Sequence, residues 1–132
     1  GIVTTTAENG PALTRSLLTS LASERPDVIV LELGDGLLGA YGVEAILSDA
    51  AIRAAMTAVV LCANDPVAAW GGEKVLRGQY GIEPAVVSGP ATDNAVGIDQ
   101  ISERLALPAI NALSNGVALG DHVHGVLKGG RK

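Results

Sequence analysis

A chain of 132 residues with a single cysteine fits one domain that folds around a core without an internal disulfide. Its net charge of −5 argues against a nucleic-acid surface, which needs a basic face. Apolar residues make up 48% but aromatics only 2%, with no Phe, so the core has to be Val, Ile, Leu and Ala, and no apolar run approaches the roughly 20 residues that span a bilayer.

Taken in chain order, Ile2–Thr5 reads as a short strand and Glu8-Asn9-Gly10 as a turn. Pro11 suits the first position of a helix, where its missing N–H costs nothing. Leu13, Leu17, Leu18 and Leu21 then mark the predicted inner face, and Pro26 stops the helix near Glu24-Arg25. Asp27–Leu33 is an almost unbroken apolar run and predicts a central parallel strand, buried on both faces and ended by Gly34-Asp35-Gly36. Val43–Ala55 is helical in composition, with Val43, Ile46, Leu47 and Ala50 on one side. Ala58–Ala63 is a second buried strand, and Asn64-Asp65-Pro66 ends it and opens a helix to about Tyr80, with a break or kink expected at Gly71-Gly72. Pro84–Ser88 is the next strand, Gly89–Asn94 a loop, and Ile98, Ile101 and Leu105 the inner face of another helix. Pro108–Leu113 reads as a last short strand and Val117–Leu127 as a closing helix.

Strands alternating with helices predict an α/β fold of three layers: a mostly parallel sheet of about five strands, helices on both faces, of the P-loop or Rossmann type. Residues 1–127 form one domain on this reading, and the basic cluster in residues 128–132 is a flexible tail. The chain starts without Met and enters strand-like Ile2-Val3 at once, which predicts a fragment of a longer protein or a processed one. The lone cysteine points to a reducing, cytoplasmic compartment.

In open α/β sheets, ligands bind beyond the carboxyl ends of the strands. Polar, Gly-rich loops follow four of the predicted strands, and together they predict one crevice. Its candidate lining is Gly34, Asp35, Gly36, Asn64, Asp65, Ser88, Thr92, Asp93 and Asn94. The competing reading is that Asp, Asn, Gly and Pro serve there as turn and cap residues. Glu32 stands at an apolar strand end, where a buried carboxylate needs a partner. Glu32 and Asp35 are therefore the candidate metal ligands, for a Mg²⁺ held through water; backbone N–H groups or an exposed strand end are the alternatives.

Gly34-x-Gly36-x-x-Gly39 matches the dinucleotide fingerprint G-x-G-x-x-G after a strand, with Asn64-Asp65 somewhat beyond the place of its acidic partner. His122 and His124 read as surface histidines in preference to a metal pair, and Cys62 as a small core residue. Trp70 and Tyr41 flank the expected crevice, where they are equally suited to stacking on a ring or to packing.

Three motifs together, DVIVLELGDGLLG (27–39), VVLCANDP (59–66) and VVSGPATDN (86–94), resemble the later, Walker-B-side part of the dethiobiotin synthetase-like P-loop NTPase-like proteins of uncharacterised function. The resemblance covers roughly residues 27–113. It implies that Glu32 or Asp35 lies near a nucleotide's Mg²⁺ and that Asn64-Asp65 faces the base or substrate. The chain departs from the family in having no G-x-x-x-x-G-K-[ST] loop, so either that loop lies upstream in a longer protein or hydrolysis has been lost.

The leading expectation is a domain that supplies the acidic, polar half of a nucleotide or phosphometabolite site and is not catalytic alone. Its partner is a small phosphate-bearing ligand, with the upstream part of its own longer chain or a second copy as further partners. The alternatives are a Rossmann-type dinucleotide domain and a non-enzymatic assembly or regulatory domain.

Overall fold

The structure, a computed structural model, describes residues 5–130. The chain divides into two compact units, Gly1–Ala55 and Met56–Lys132.

In the first unit, a turn prepares the first helix. The Thr6 N–H donates to Asn9 Oδ1 at 2.7 Å, and the Asn9 N–H donates to Thr6 Oγ1 at 3.3 Å. Helix α1, Gly10–Ser23, follows with Pro11 in its first turn. It buries its small residues, Gly10 and Thr14, and leaves Leu13, Leu17 and Leu21 exposed. The predicted inner face is therefore turned outward. The reason is close approach: a Cβ added at Gly10 would stand 3.2 Å from Ile46 Cγ1. Helix α2, Val43–Ser48, buries Val43, Ile46 and Leu47 as their spacing predicts. The expected single helix over 43–55 is broken at Asp49, whose ψ of 116° is extended. Asp49 Oδ1 accepts the Ile52 N–H at 3.0 Å, which starts α3, Ala50–Ala55, and Arg15 pairs with the same carboxylate.

In the second unit, strand β1, Val60–Cys62, pairs in parallel with β2, Val86–Ser88. Val60 lies opposite Val86, Leu61 opposite Val87 and Cys62 opposite Ser88. One further parallel bridge joins Val87 to Ala109. β2 is thus flanked on both sides, and all three of its residues are buried. Helix α4, Pro66–Tyr80, buries Ala69, Glu73, Leu76 and Tyr80 and packs beside α5, Ala95–Leu105. α4 runs unbroken through Gly71-Gly72, so the expected kink is absent. A 3₁₀ turn at Pro90–Thr92 links β2 to α5. Helix α6, Gly116–Gly129, closes the unit without a fully buried residue, and His122 Nε2 lies 2.9 Å from the Ala85 carbonyl oxygen.

The sheet is the main correction. Among the described residues 55% are helical, and two short parallel strands form one sheet, not the three-layer sheet of about five strands read from the sequence. The expected strand Ile2–Thr5 lies outside the described residues except for Thr5, which is in neither helix nor strand. Val28–Leu33 lies in neither helix nor strand and is mostly exposed, with Val30 88% accessible, and residues 28–32 make no backbone hydrogen bond to another described residue. β-branching favours an extended backbone but provides no neighbour, and a strand exists only where its N–H and C=O groups are paired. Pro108–Leu113 shrinks to the bridge at Ala109, because the chain turns at residues 112–114. Cys62, expected in the core, is exposed, since it shares the outer face of β1 with Val60 while Leu61 faces inward. Among the described residues no helix is long and apolar enough to cross a membrane.

Candidate functional site

The expected site residues fall into both units. Glu32, Gly34, Asp35 and Gly36 belong to the first, and Asn64, Asp65, Ser88, Thr92, Asp93 and Asn94 to the second. Their predicted convergence assumed that each loop leaves a parallel strand of one sheet. That premise fails for residues 32–36, because no strand precedes them.

In the first unit, Glu32 is exposed on the irregular segment between α1 and α2. Its carboxylate folds back over Gly34, with Oε1 at 3.7 Å from where a Cβ would stand. Asp35 Oδ2 accepts the Tyr41 N–H at 2.9 Å and so closes the loop from 35 to 41. The fit is close: a Cβ on Gly39 would overlap the Asp35 carboxylate, which explains the glycine there. No helix opens directly on Gly34-x-Gly36-x-x-Gly39, since α2 begins at Val43. The strand-turn-helix setting through which that fingerprint holds a pyrophosphate is therefore not formed around it. A cavity of about 280 Å³ lies beside this loop, lined by Ala7, Gly42, Glu44 and Ser48 among others.

In the second unit, the six residues do gather. Parallel β1 and β2 end side by side, and their outgoing loops are bonded to one another. The Ala63 N–H donates to the Ser88 carbonyl at 3.0 Å, and the Ala91 N–H to the Ala63 carbonyl at 2.9 Å. Gly89 permits this approach: its φ is +85°, and a Cβ would stand 2.9 Å from the Ala63 oxygen. Both loops then open a helix. Asp65 caps α4, its Oδ1 accepting the Ala68 N–H at 2.8 Å, and Asn94 caps α5, its Oδ1 accepting the Gly97 N–H at 2.9 Å. α4 and α5 thus point their N-termini, with the positive ends of their dipoles, to the carboxyl edge of the strands. Caps satisfy only part of a helix start. The N–H groups of Val67, Ala95 and Val96 make no hydrogen bond to another described residue.

Asn111 organises the edge, and the sequence reading passed over it. Buried after the Ala109 bridge, its Nδ2 donates to Thr92 Oγ1 at 3.1 Å and to Asp93 Oδ1 at 2.9 Å. Its Oδ1 accepts the N–H groups of Leu113 and Ser114 at 2.9 and 2.8 Å. Thr92 Oγ1 in turn donates to the Gly89 carbonyl at 2.7 Å. The available signal was a lone amide inside the apolar run from Pro108 to Leu113, where a polar group has to find partners. Ser88 Oγ is buried without a hydrogen-bond partner, and the Asn64 side chain is exposed.

Chemically, this edge offers open backbone donors, flanking carboxylates at Asp65 and Asp93, and no nucleophile with an adjacent base. Among the described residues, no three His, Cys, Asp or Glu side chains are grouped to hold a metal ion. A Mg²⁺ that arrives with phosphates needs only one or two protein carboxylates, the rest of its shell being water and phosphate oxygen. Comparison of the chain with protein-family models, characterised proteins and solved structures gave no match.

Proposed function

We propose that the second unit binds a small phosphate-bearing ligand at the carboxyl edge of β1 and β2, and that it is not catalytic alone. The observation that carries the reading is the pair of helix starts tied together through Ala63, with N–H groups at Val67, Ala95 and Val96 that have no partner among the described residues. Helix N-termini attract anions through these donors and through the dipole. Asp65 and Asp93 beside them favour a phosphate accompanied by Mg²⁺, as in a nucleotide, over a bare anion. The exposed residues assigned to the ligand are Asn64, Asp65, Asp93 and Asn94, with buried Ser88 and Thr92 supporting them from behind. Asn111 holds the second loop in place and positions Thr92 and Asp93.

The absence of turnover follows from the sequence. Phosphoryl transfer in P-loop proteins leans on a lysine and a ring of backbone N–H groups in a Gly-rich strand-to-helix turn. Lys74 lies within α4 and Lys128 near the end of α6, so neither belongs to such a turn. Calorimetric titration with Mg²⁺–ATP, NAD⁺ and inorganic phosphate tests the binding, and a phosphate-release assay tests the silence. Mg²⁺-dependent ATP binding without release agrees with the proposal. NAD⁺ binding alone favours the dinucleotide alternative, and no binding of any of the three rejects a phosphate site.

A further inference from the structure

α4 carries a second chemistry on its outer flank. Val67, Trp70, Lys74 and Arg77 follow at spacings of three and four residues and so share one side of the helix. All four are exposed, Val67 77% and Trp70 50%. Glu73, next to this stripe, is turned inward with its side chain only 3% accessible. Its Oε1 pairs with Arg77 Nε at 2.9 Å, and its Oε2 lies 3.1 Å from Lys74 Nζ. Lys74 Nζ also stands 5.8 Å from the centre of the Trp70 ring, within cation–π range. One buried carboxylate therefore anchors two cations beside the chain's single tryptophan.

The anchoring leaves capacity unused. An ammonium has three N–H donors and a guanidinium five; Glu73 pairs with one guanidinium nitrogen, and its Oε2 lies near the ammonium without a hydrogen bond among the described residues. The outward groups are thus a held pair of cations with an indole and a valine alongside. Tryptophan and arginine are the residues that most often dominate binding at protein interfaces, and side chains already fixed lose less entropy on docking. The charge is also distinctive, because the chain as a whole carries −5. That overall charge disfavours a nucleic acid, whereas the local sign suits a carboxylate.

We propose that this flank of α4 is a docking surface for an acidic, apolar segment of a partner protein. A carboxylate of the segment sits on Lys74 and Arg77, and a neighbouring apolar side chain packs on Trp70 and Val67. The surface uses the Val67 side chain, whereas the phosphate reading uses only that residue's backbone N–H, so the surface survives the failure of that reading.

Trp70 reports on the surface directly, since no other tryptophan contributes fluorescence. The whole chain is titrated with a short synthetic peptide alternating leucine and glutamate, with a leucine–lysine peptide, inorganic phosphate and a single-stranded oligonucleotide as controls. The expected result is a saturable shift of Trp70 emission with the acidic peptide only, weakened about tenfold by Val67→Asp and by raised salt, each of which removes about one contact's worth of affinity. Asp is tolerated at the start of a helix, and Val67 takes no part in the Glu73 pairs, so that variant keeps the fold. The double variant Lys74→Gln/Arg77→Gln is expected to lose binding; if circular dichroism shows it unfolded, Val67→Asp alone decides. No response, an equal response to the lysine peptide, full competition by inorganic phosphate, or tighter binding of the oligonucleotide each overturns the proposal.

Discussion

The Asn111 side chain donates to the Thr92 hydroxyl at 3.1 Å across 19 residues of sequence, and this bond joins the loop after β2 to the turn after the Ala109 bridge. The same amide satisfies Asp93 and two backbone N–H groups, so one residue fixes the shape of the edge on which the proposed ligand rests.

Asn111→Ala leaves the buried Thr92 hydroxyl without its donor and removes the bonds to Asp93, Leu113 and Ser114, which costs about 1–3 kcal/mol. Urea denaturation followed by circular dichroism measures it, and an unchanged midpoint would mean that the network is ornamental. Asn111→Asp is expected to be worse near neutral pH, where its carboxylate faces that of Asp93, and to recover part of the loss on acidification, as protonation restores a donor.

Two glycines with nearly the same φ differ in what a side chain would cost. Gly36 has φ +84° with nothing within 4 Å of an added Cβ, while Gly89 has φ +85° and the Ala63 oxygen 2.9 Å away. Gly36→Ala carries only the left-handed penalty of about 1 kcal/mol. Gly89→Ala adds a backbone collision and, with ψ at −171°, a backbone region that essentially only glycine occupies, and is expected to cost roughly 1–3 kcal/mol more. Equal losses in thermal melts of the two variants would show that the loops after β1 and β2 are not bonded as described.

Glu8 supplies a pH test in the first unit. The Thr6 side chain, and secondarily the residue's own backbone N–H, holds its carboxyl below the usual glutamate range. A depressed folded-state pKa means that the contribution to stability is present above the unfolded value and is lost as pH falls through the folded value. In a carboxyl-detected NMR titration, Glu8 is expected to titrate below an unperturbed glutamate, and Thr6→Val to return it toward the ordinary range. A titration that Thr6→Val leaves unmoved would assign the shift to another cause.

Helix starts and short apolar strands were legible in the sequence, whereas strand pairing was not. Pro11, Asp65-Pro66 and Asn94 mark the starts of α1, α4 and α5 because a cap or a missing N–H acts within one turn. The apolar centres of β1 and β2 were legible for a similar reason: both runs are short, apolar and bounded by turn residues. Val28–Leu33 carries the same local signal, yet pairing depends on a neighbour supplied from elsewhere, and among the described residues there is none. On α1 the leucine spacing predicted a face but not which partner approached, and Gly10 against Ile46 decided that. At the candidate site, Asp65, Thr92, Asp93 and Asn94 were legible as polar residues following strands. Asn111 was hidden inside an apolar run, and its role depends on groups distant in sequence.

The central claim is that the starts of α4 and α5 form an anion-binding edge. It is tested most directly by titrating the ¹⁵N-labelled chain with inorganic phosphate and then with Mg²⁺–ATP while following the amide resonances of Val67, Ala95 and Val96. The account predicts that all three shift together along one saturation curve, with a stronger response to Mg²⁺–ATP. Amides that stay fixed while shifts appear elsewhere, or nowhere, would contradict it.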